Sequence, residues 1–126
     1  IAIPGQSEHE TGLAAEIKTT TWQGEITEEF ENTPEFEWLN ENAWKYGYIL
    51  RYPKDKQDIT KITYEPWHYR FVGLYYAEKI KESGLCLEEY YEQNPPADAA
   101  SPAESETVTS VPQETAETES KVSFIV

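Results

Sequence analysis

Residues 64–70 read Tyr-Glu-Pro-Trp-His-Tyr-Arg, and this aromatic stretch carries a carboxylate and one of only two histidines within four positions. Neutral imidazole is the commonest protein ligand for zinc, and a carboxylate beside the metal that does not bind it can act as a general base. A Glu-x-x-His pair among aromatic residues is also typical of a buried, hydrogen-bonded pair with a structural role. By itself, the spacing of Glu65 and His68 leaves both interpretations open.

The second histidine lies in residues 7–16, which read Ser-Glu-His-Glu-Thr-Gly-Leu-Ala-Ala-Glu. His9, Glu16 and His68 make three nitrogen and oxygen donors, the number of protein ligands in a catalytic zinc site that keeps a fourth position open for water. Positions seven apart in a strand face opposite ways, so the first two donors converge only if the chain bends, and Gly12 permits a bend. The sequence thus predicts a zinc site, with the carboxylate of the first stretch left over as the base.

These two stretches resemble the paired S-x-H-x-x-G-x-A-x-D and E-x-W-H motifs of the VanY-type D-alanyl-D-alanine carboxypeptidases, zinc peptidases related to lysostaphin and to the Hedgehog domain. The resemblance covers nearly everything from Pro4 to Tyr91. It extends through residues 38–43, 46–53, 84–85 and 88–90. Two departures stand out: Glu16 occupies the position of the family's aspartate, and the chain starts where the family domain is already part-built.

The resemblance implies that His9, Glu16 and His68 bind Zn²⁺, and that Glu65 takes a proton from zinc-bound water and returns it to the leaving amine. The implied reaction removes a terminal D-alanine from peptidoglycan stem peptides, with D,D or L,D specificity. The implied setting is the cell envelope of a bacterium, outside the cytoplasm, reached through an export signal or anchor that this sequence does not contain.

Two polar residues beside the motifs are candidate substrate-binding residues. Arg70 pairs either with a substrate carboxylate or with an internal acid, and we expect the internal partner because most charges beside a motif are structural. Ser7 either hydrogen-bonds the substrate or orients its own loop.

Two other functions compete with the enzyme. One is a zinc-stabilised binding module, or an inactive fragment of such an enzyme, that kept the metal and lost turnover. The other is a metal-free acidic interaction fragment. Glu65 favours the enzyme, because a module without catalysis does not need a carboxylate beside the metal that binds no zinc.

In the family that the motifs resemble, a segment before the first histidine motif supplies helices of the domain and an arginine that grips the substrate's terminal carboxylate. The chain begins Ile-Ala-Ile-Pro and contains no methionine, which indicates a processed or excised piece. We therefore expect residues 1–126 alone to bind zinc weakly and to hydrolyse D-alanine-terminated peptides poorly, with the missing N-terminal segment as a required partner.

Hydrophobic periodicity and turn residues predict an α+β fold, in which a small antiparallel sheet carries the zinc site and helices flank it. Strands are predicted at residues 13–21, at 48–52, and from Ile62 to the Glu-x-x-His pair. Helices are predicted from Pro34 to Gly47, from Val72 to Gly84, and briefly within 85–91. Residues 22–32 are expected to form an acidic loop with a short turn.

Acidic residues outnumber basic ones by 24 to 10, giving a net charge of −14 at pH 7. Because nucleic-acid binding depends on Lys and Arg neutralising phosphates, a nucleic-acid partner is not expected. Cys86 is the only cysteine, so no intrachain disulfide can form. No apolar run approaches the roughly 18 residues of a membrane-spanning helix.

Composition divides the chain near position 94. Residues 94–126 hold six acidic residues, one lysine and many Pro, Ala, Ser and Thr residues. Such a segment buries too little apolar surface to offset the entropy of ordering it. We predict the C-terminal portion of a carboxypeptidase domain at 1–93 and a disordered acidic tail at 94–126. The apolar end, residues 122–126, either adds a strand to a sheet edge or has no structural role.

Overall fold

The structure, a computed structural model, describes residue 5 and residues 7–22, 24–95 and 122–125. One antiparallel sheet, with strand order β2-β3-β1-β4, packs against helices, which confirms the predicted α+β class. The strands are β1 (Ala14–Thr19), β2 (Tyr48–Leu50), β3 (His68–Phe71) and β4 (Val122–Ile125). The helices are α1 (Pro34–Asn42), α2 (Gln57–Thr60), α3 (Leu74–Ser83) and α4 (Leu87–Gln93).

The predicted acidic tail lies mostly outside the described residues. Of positions 94–126, the structure describes only 94, 95 and 122–125. In the last of these ranges, the backbone of β4 pairs antiparallel with β1, with residue 125 opposite Glu16.

The register between β1 and β3 sorts their side chains onto two faces. Ala15 lies opposite Tyr69, and Glu16 lies opposite His68. Because neighbouring side chains in a strand point to opposite faces, Tyr69 shares one face with Ile17, while Glu16 and His68 share the other. The first face packs on the core, so the second is left for polar chemistry.

Two apolar clusters hold the sheet and helices together. The first joins the core face of the sheet to α1 through Ile17, Phe30, Leu39, Ala43 and Tyr69. The second joins β2 to α3 and α4 through Ile49, Ala77, Ile80, Leu87 and Tyr90. Phe30, in a short 3-10 helix (Glu28–Asn32), is fully buried. Residues 22–32, predicted as a loop with a short turn, therefore supply a core residue. A single 3-10 turn is enough to place the Phe30 side chain in the core.

α1 begins as its capping residues predict. The Thr33 hydroxyl accepts a hydrogen bond from the Phe36 amide at 3.2 Å, and Pro34 occupies the first turn, where its missing N–H costs nothing. The helix ends at Asn42, and a 3-10 turn (Ala43–Tyr46) continues to Gly47. The predicted helix over 34–47 is thus an α-helix followed by a tighter turn.

The strand predicted from Ile62 begins only at His68. Pro66 has no amide proton to give to a sheet, and the His68 amide turns back to the Glu65 carbonyl at 3.1 Å. Glu65 therefore lies in a turn before β3 rather than in the strand. None of the helices in the described part of the chain is long and apolar enough to cross a membrane.

Candidate metal centre

His9 is held by a short 3-10 helix (Glu8–Thr11) in front of β1. The Ser7 hydroxyl caps this helix by accepting a hydrogen bond from the His9 amide at 3.3 Å. Gly12 ends it with φ 71°, a left-handed conformation that favours glycine, and the chain then enters β1. The bend expected at Gly12 is present, and Ser7 orients the loop that carries His9.

The structure brings His9, Glu16 and His68 together. One donor atom from each lies within 4.8 Å of the other two, and His9 Nε2 is 3.5 Å from Glu16 Oε1. Tetrahedral zinc with bonds near 2.0 to 2.1 Å separates its ligand atoms by about 3.4 Å. The distance between His9 and Glu16 matches that value, and two imidazoles and a carboxylate are donors that suit zinc.

The three side chains differ in exposure. His68 is buried, whereas the side chains of His9 and Glu16 are 35% and 41% exposed. The His9 ring meets the His68 ring edge to face, with centroids 4.9 Å apart. The cluster thus has one deep donor and two at its rim, so water and a peptide can reach it from the rim.

Glu65 flanks this cluster without belonging to the three-donor set. Its Oε2 lies 3.4 Å from His68 Nδ1. Burial raises the pKa of Glu65 and the neighbouring Glu16 charge adds to the rise, although His68 opposes it. Glu65 is a carboxylate beside the donor cluster, and its raised affinity for protons suits it to accept and release one.

Glu8 is the most connected carboxylate around the site. Its Oε1 lies 2.9 Å from His68 Nε2, and its Oε2 accepts from Arg51 Nε at 2.9 Å and from Arg70 Nη1 at 3.0 Å. Burial alone would raise the pKa of Glu8, but the hydrogen bonds from His68 and Arg51 outweigh it and lower the pKa to about 2. This carboxylate is therefore charged at neutral pH.

Arg51 links Glu8 to α4, the last helix in the described part of the chain. Its two terminal nitrogens donate to Glu88 of α4 at 3.0 and 2.6 Å, and its guanidinium lies 4.7 Å from the Tyr52 ring centroid. The Tyr52 ring packs in turn on His68, with centroids 4.9 Å apart. His68 is thereby connected to α4 by two routes through Arg51: the hydrogen bond to Glu8 and the stacked ring of Tyr52.

Arg70 pairs with an internal acid, Glu8, which is the kind of partner we expected for it. Glu8 and Arg51 themselves were not predicted as site residues. With 24 acidic residues in the sequence, a single glutamate carries no compositional signal. The sequence offered one indication: two arginines among 24 acidic residues are each expected to pair with a carboxylate.

The chain is similar to known carboxypeptidases. A family model described as D-alanyl-D-alanine carboxypeptidase (VanY) matches residues 1–74. A D-alanyl-D-alanine carboxypeptidase of Enterococcus faecium is 49% identical over 90 residues, which are 71% of this chain and 28% of that protein. The chain spans 28% to 34% of the length of three such curated relatives.

Solved structures show the same fold. The LdcB LD-carboxypeptidase aligns with a TM-score of 0.69 and 51% identity, over 73% of this chain and 43% of that one. A mutant of the vancomycin resistance D,D-pentapeptidase VanY, in complex with Zn(II), aligns with a TM-score of 0.58 and 47% identity, over 71% of this chain and 47% of that one.

Proposed function

Because the chain belongs to the VanY family of D-alanyl-D-alanine carboxypeptidases, we propose that it carries the metal centre of a zinc-dependent carboxypeptidase that removes a terminal D-alanine from peptidoglycan stem peptides. The observation that carries this proposal is the convergence of two imidazoles and one carboxylate within 4.8 Å, with a further carboxylate beside them. A solved VanY relative holds Zn(II), which supports zinc as the metal.

In this proposal, His9 Nε2, Glu16 Oε1 and one ring nitrogen of His68 hold the zinc. Three protein ligands leave a fourth position for water or substrate, as catalytic zinc sites require. When bound, zinc supplies a Lewis acid that polarises a carbonyl and acidifies water toward neutral pH. The chain's own residues do the remaining work of binding, orientation and proton transfer.

Glu65 is the proposed general base. Its carboxylate accepts a proton from the attacking water as the new carbon–oxygen bond forms. It then returns that proton to the amine of the departing D-alanine as the carbon–nitrogen bond breaks. The position of Glu65 Oε2, 3.4 Å from His68 Nδ1, supports this role because it lies against the donor cluster and outside it.

The substrate and its location follow from the family. The VanY description names D-alanyl-D-alanine, and LdcB is an LD-carboxypeptidase, so we propose a peptidoglycan peptide ending in D-alanine with D,D or L,D specificity. Such peptides lie in the cell wall, and we propose an extracytoplasmic site of action for the whole protein.

A zinc-stabilised binding module is the second candidate, and one observation favours it. The sequence contains only two arginines, and both bind internal carboxylates: Arg70 binds Glu8, and Arg51 binds Glu8 and Glu88. Arg51 uses all three of its guanidinium nitrogens on these carboxylates and Arg70 uses Nη1, so neither arginine is held ready to clamp the terminal carboxylate of a peptide. A chain that holds the metal but lacks that clamp would still bind a peptide at the metal and would lose turnover.

The test combines metal analysis with mass spectrometry of a stem pentapeptide. It uses the chain alone and a chimera in which the residues of LdcB upstream of the match precede residue 1. We expect both proteins to bind one zinc at a saturating concentration, more weakly in the chain alone, and loss of one D-alanine with the chimera. Zinc without hydrolysis in either protein supports the binding module, and absence of bound zinc contradicts both candidates.

A further inference from the structure

The carboxylate of Glu8 divides its two oxygens between different partners. Oε2 faces both guanidiniums, with Arg51 Nε at 2.9 Å and Arg70 Nη1 at 3.0 Å. Oε1 faces the imidazole, with His68 Nε2 at 2.9 Å. The Glu8 side chain is 12% exposed and that of His68 is 5% exposed, so water competes little for these bonds. Two arginines thus hold a charged acceptor at a fixed place against one edge of the His68 ring.

A neutral imidazole carries a proton on one nitrogen and a lone pair on the other. A carboxylate accepts hydrogen bonds and donates none, so the contact with Glu8 Oε1 requires the His68 proton to be on Nε2. The lone pair is then on Nδ1, the nitrogen that also lies 3.4 Å from Glu65 Oε2. Ligating histidines are commonly oriented in this way by a carboxylate on their other nitrogen.

From this arrangement we propose that Glu8 is a positioning residue: it fixes His68 as the Nε2–H tautomer and presents Nδ1 to the metal. This inference rests on the proposed function, because it assigns the ligating nitrogen of a metal centre that is itself proposed. Glu8 touches neither metal nor substrate in this scheme, and it acts only through His68.

The arginines complete the proposal. Arg51 and Arg70 both donate to Oε2, so Oε1 is the oxygen that is left facing the imidazole. Arg51 is anchored by Glu88 of α4, so α4 helps to hold a metal ligand that lies 20 positions earlier in the sequence.

The first test reads the tautomer directly in the wild-type chain. The sequence contains two histidines, so long-range proton–nitrogen NMR correlations of the labelled protein resolve every ring nitrogen. At mildly alkaline pH, we expect the His68 proton on Nε2 both before and after addition of zinc, and Nδ1 shifted by the metal. A proton on Nδ1 in either state overturns the proposal, and this reading requires no variant to fold.

The second test compares Glu8→Gln with Glu10→Gln. Glu10 lies on the same 3-10 helix, is exposed, and within the described residues accepts a hydrogen bond only from the Gly5 amide, so the control removes the same charge without touching His68. Competition with a chelator should show that Glu8→Gln weakens zinc binding about 10- to 100-fold, the usual effect of losing such a partner. Glu10→Gln should leave it unchanged.

The two proposals fail in different ways. Equal zinc affinity in Glu8→Gln and Glu10→Gln overturns the role of Glu8 and leaves the carboxypeptidase proposal standing. Absence of zinc binding in the wild type overturns the carboxypeptidase, while the tautomer measured without metal still decides whether Glu8 sets the state of His68.

Discussion

Glu16 of β1 lies directly opposite His68 of β3 in the antiparallel register, so both side chains leave the sheet from the same face. His9 reaches this face from the turn before β1, where its Nε2 lies 3.5 Å from Glu16 Oε1. Sheet register therefore fixes two of the three candidate ligands, and a single capped turn fixes the third.

The first prediction concerns metal content. His9→Ala and His68→Ala each remove one donor of three, so each should lower the zinc retained after dialysis well below one ion per chain. Zinc retention in the wild type should also fall as pH falls, because protons compete with the metal for imidazole and carboxylate. Inductively coupled plasma analysis checks both effects.

Glu10→Gln serves as the control for the metal prediction, since Glu10 is exposed and outside the donor set. Unchanged zinc content in both histidine variants would show that the metal binds elsewhere or not at all.

The second prediction concerns Glu16, which stands where the family motif has aspartate. Aspartate is one methylene shorter, and a displacement of about 1 Å at a reacting centre can cost on the order of 100-fold in rate. If glutamate is a compromised ligand, Glu16→Asp should preserve zinc binding and preserve or raise peptide hydrolysis in the LdcB chimera. A large loss of activity would show that the site has been rebuilt around glutamate.

Local sequence signals predicted most of the elements because the responsible interactions are local. The cap at Thr33, the proline at position 34 and the left-handed glycines at 47 and 84 each end or begin a helix by contacts within one turn. The proximity of His9, Glu16 and His68 was predicted from ligand chemistry and the family resemblance. The sequence did not predict the strand register that places Glu16 opposite His68.

The features that escaped prediction depend on contacts distant in sequence. Glu8 bonds to residues 43, 60 and 62 positions away, and nothing in its neighbourhood distinguishes it from Glu10. Phe30 lies in an acidic interval, and its burial depends on the β1 and α1 residues packed around it. The late start of β3 follows from Pro66, which has no amide proton to donate to the sheet even though apolar residues precede it.

The third prediction concerns the bond between α4 and the site. Burial would raise the pKa of Glu88, but hydrogen bonds from Arg51 lower it below its usual range. A lowered pKa gives stability that is complete above the unfolded-state value, near 4.3 for a glutamate, and is lost as pH falls through the folded value. Because the Glu88 side chain is 36% exposed, solvent screens part of this effect, so Glu88→Gln should cost about 1 kcal/mol at neutral pH and flatten the acid limb of the stability curve.

Thermal unfolding between neutral and acidic pH measures this effect. Glu82→Gln is the matched control, because Glu82 pairs with Lys79 on the exposed side of α3 and such pairs contribute at most about 1 kcal/mol. Equal destabilisation by the two substitutions would show that the Arg51–Glu88 pair has no special weight.

The fourth prediction concerns Gly47, the turn that leads into β2. Its φ is 84°, and a Cβ there would lie 2.6 Å from Phe71 Cε2 and 3.2 Å from the Gly73 carbonyl carbon. Gly47→Ala should therefore cost about 2 to 4 kcal/mol, the sum of left-handed strain and overpacking. Gly84→Ala has a similar φ, 68°, with open space around it, and should cost only about 1 kcal/mol.

Urea unfolding of the two glycine variants isolates the steric part, because strain at positive φ is common to both. Equal losses would mean that the Phe71 ring moves aside without cost and that this turn does not constrain β3.

The last prediction separates metal binding from catalysis at Glu65. Glu65→Gln keeps the shape of the side chain and removes its ability to accept a proton. Since general-base catalysis contributes about 100- to 10,000-fold, hydrolysis by the LdcB chimera should fall by that factor. Zinc content should stay the same, because Glu65 lies outside the three-donor set. Loss of zinc in Glu65→Gln would make Glu65 a ligand, and unchanged turnover with zinc in place would assign the proton transfer to another group.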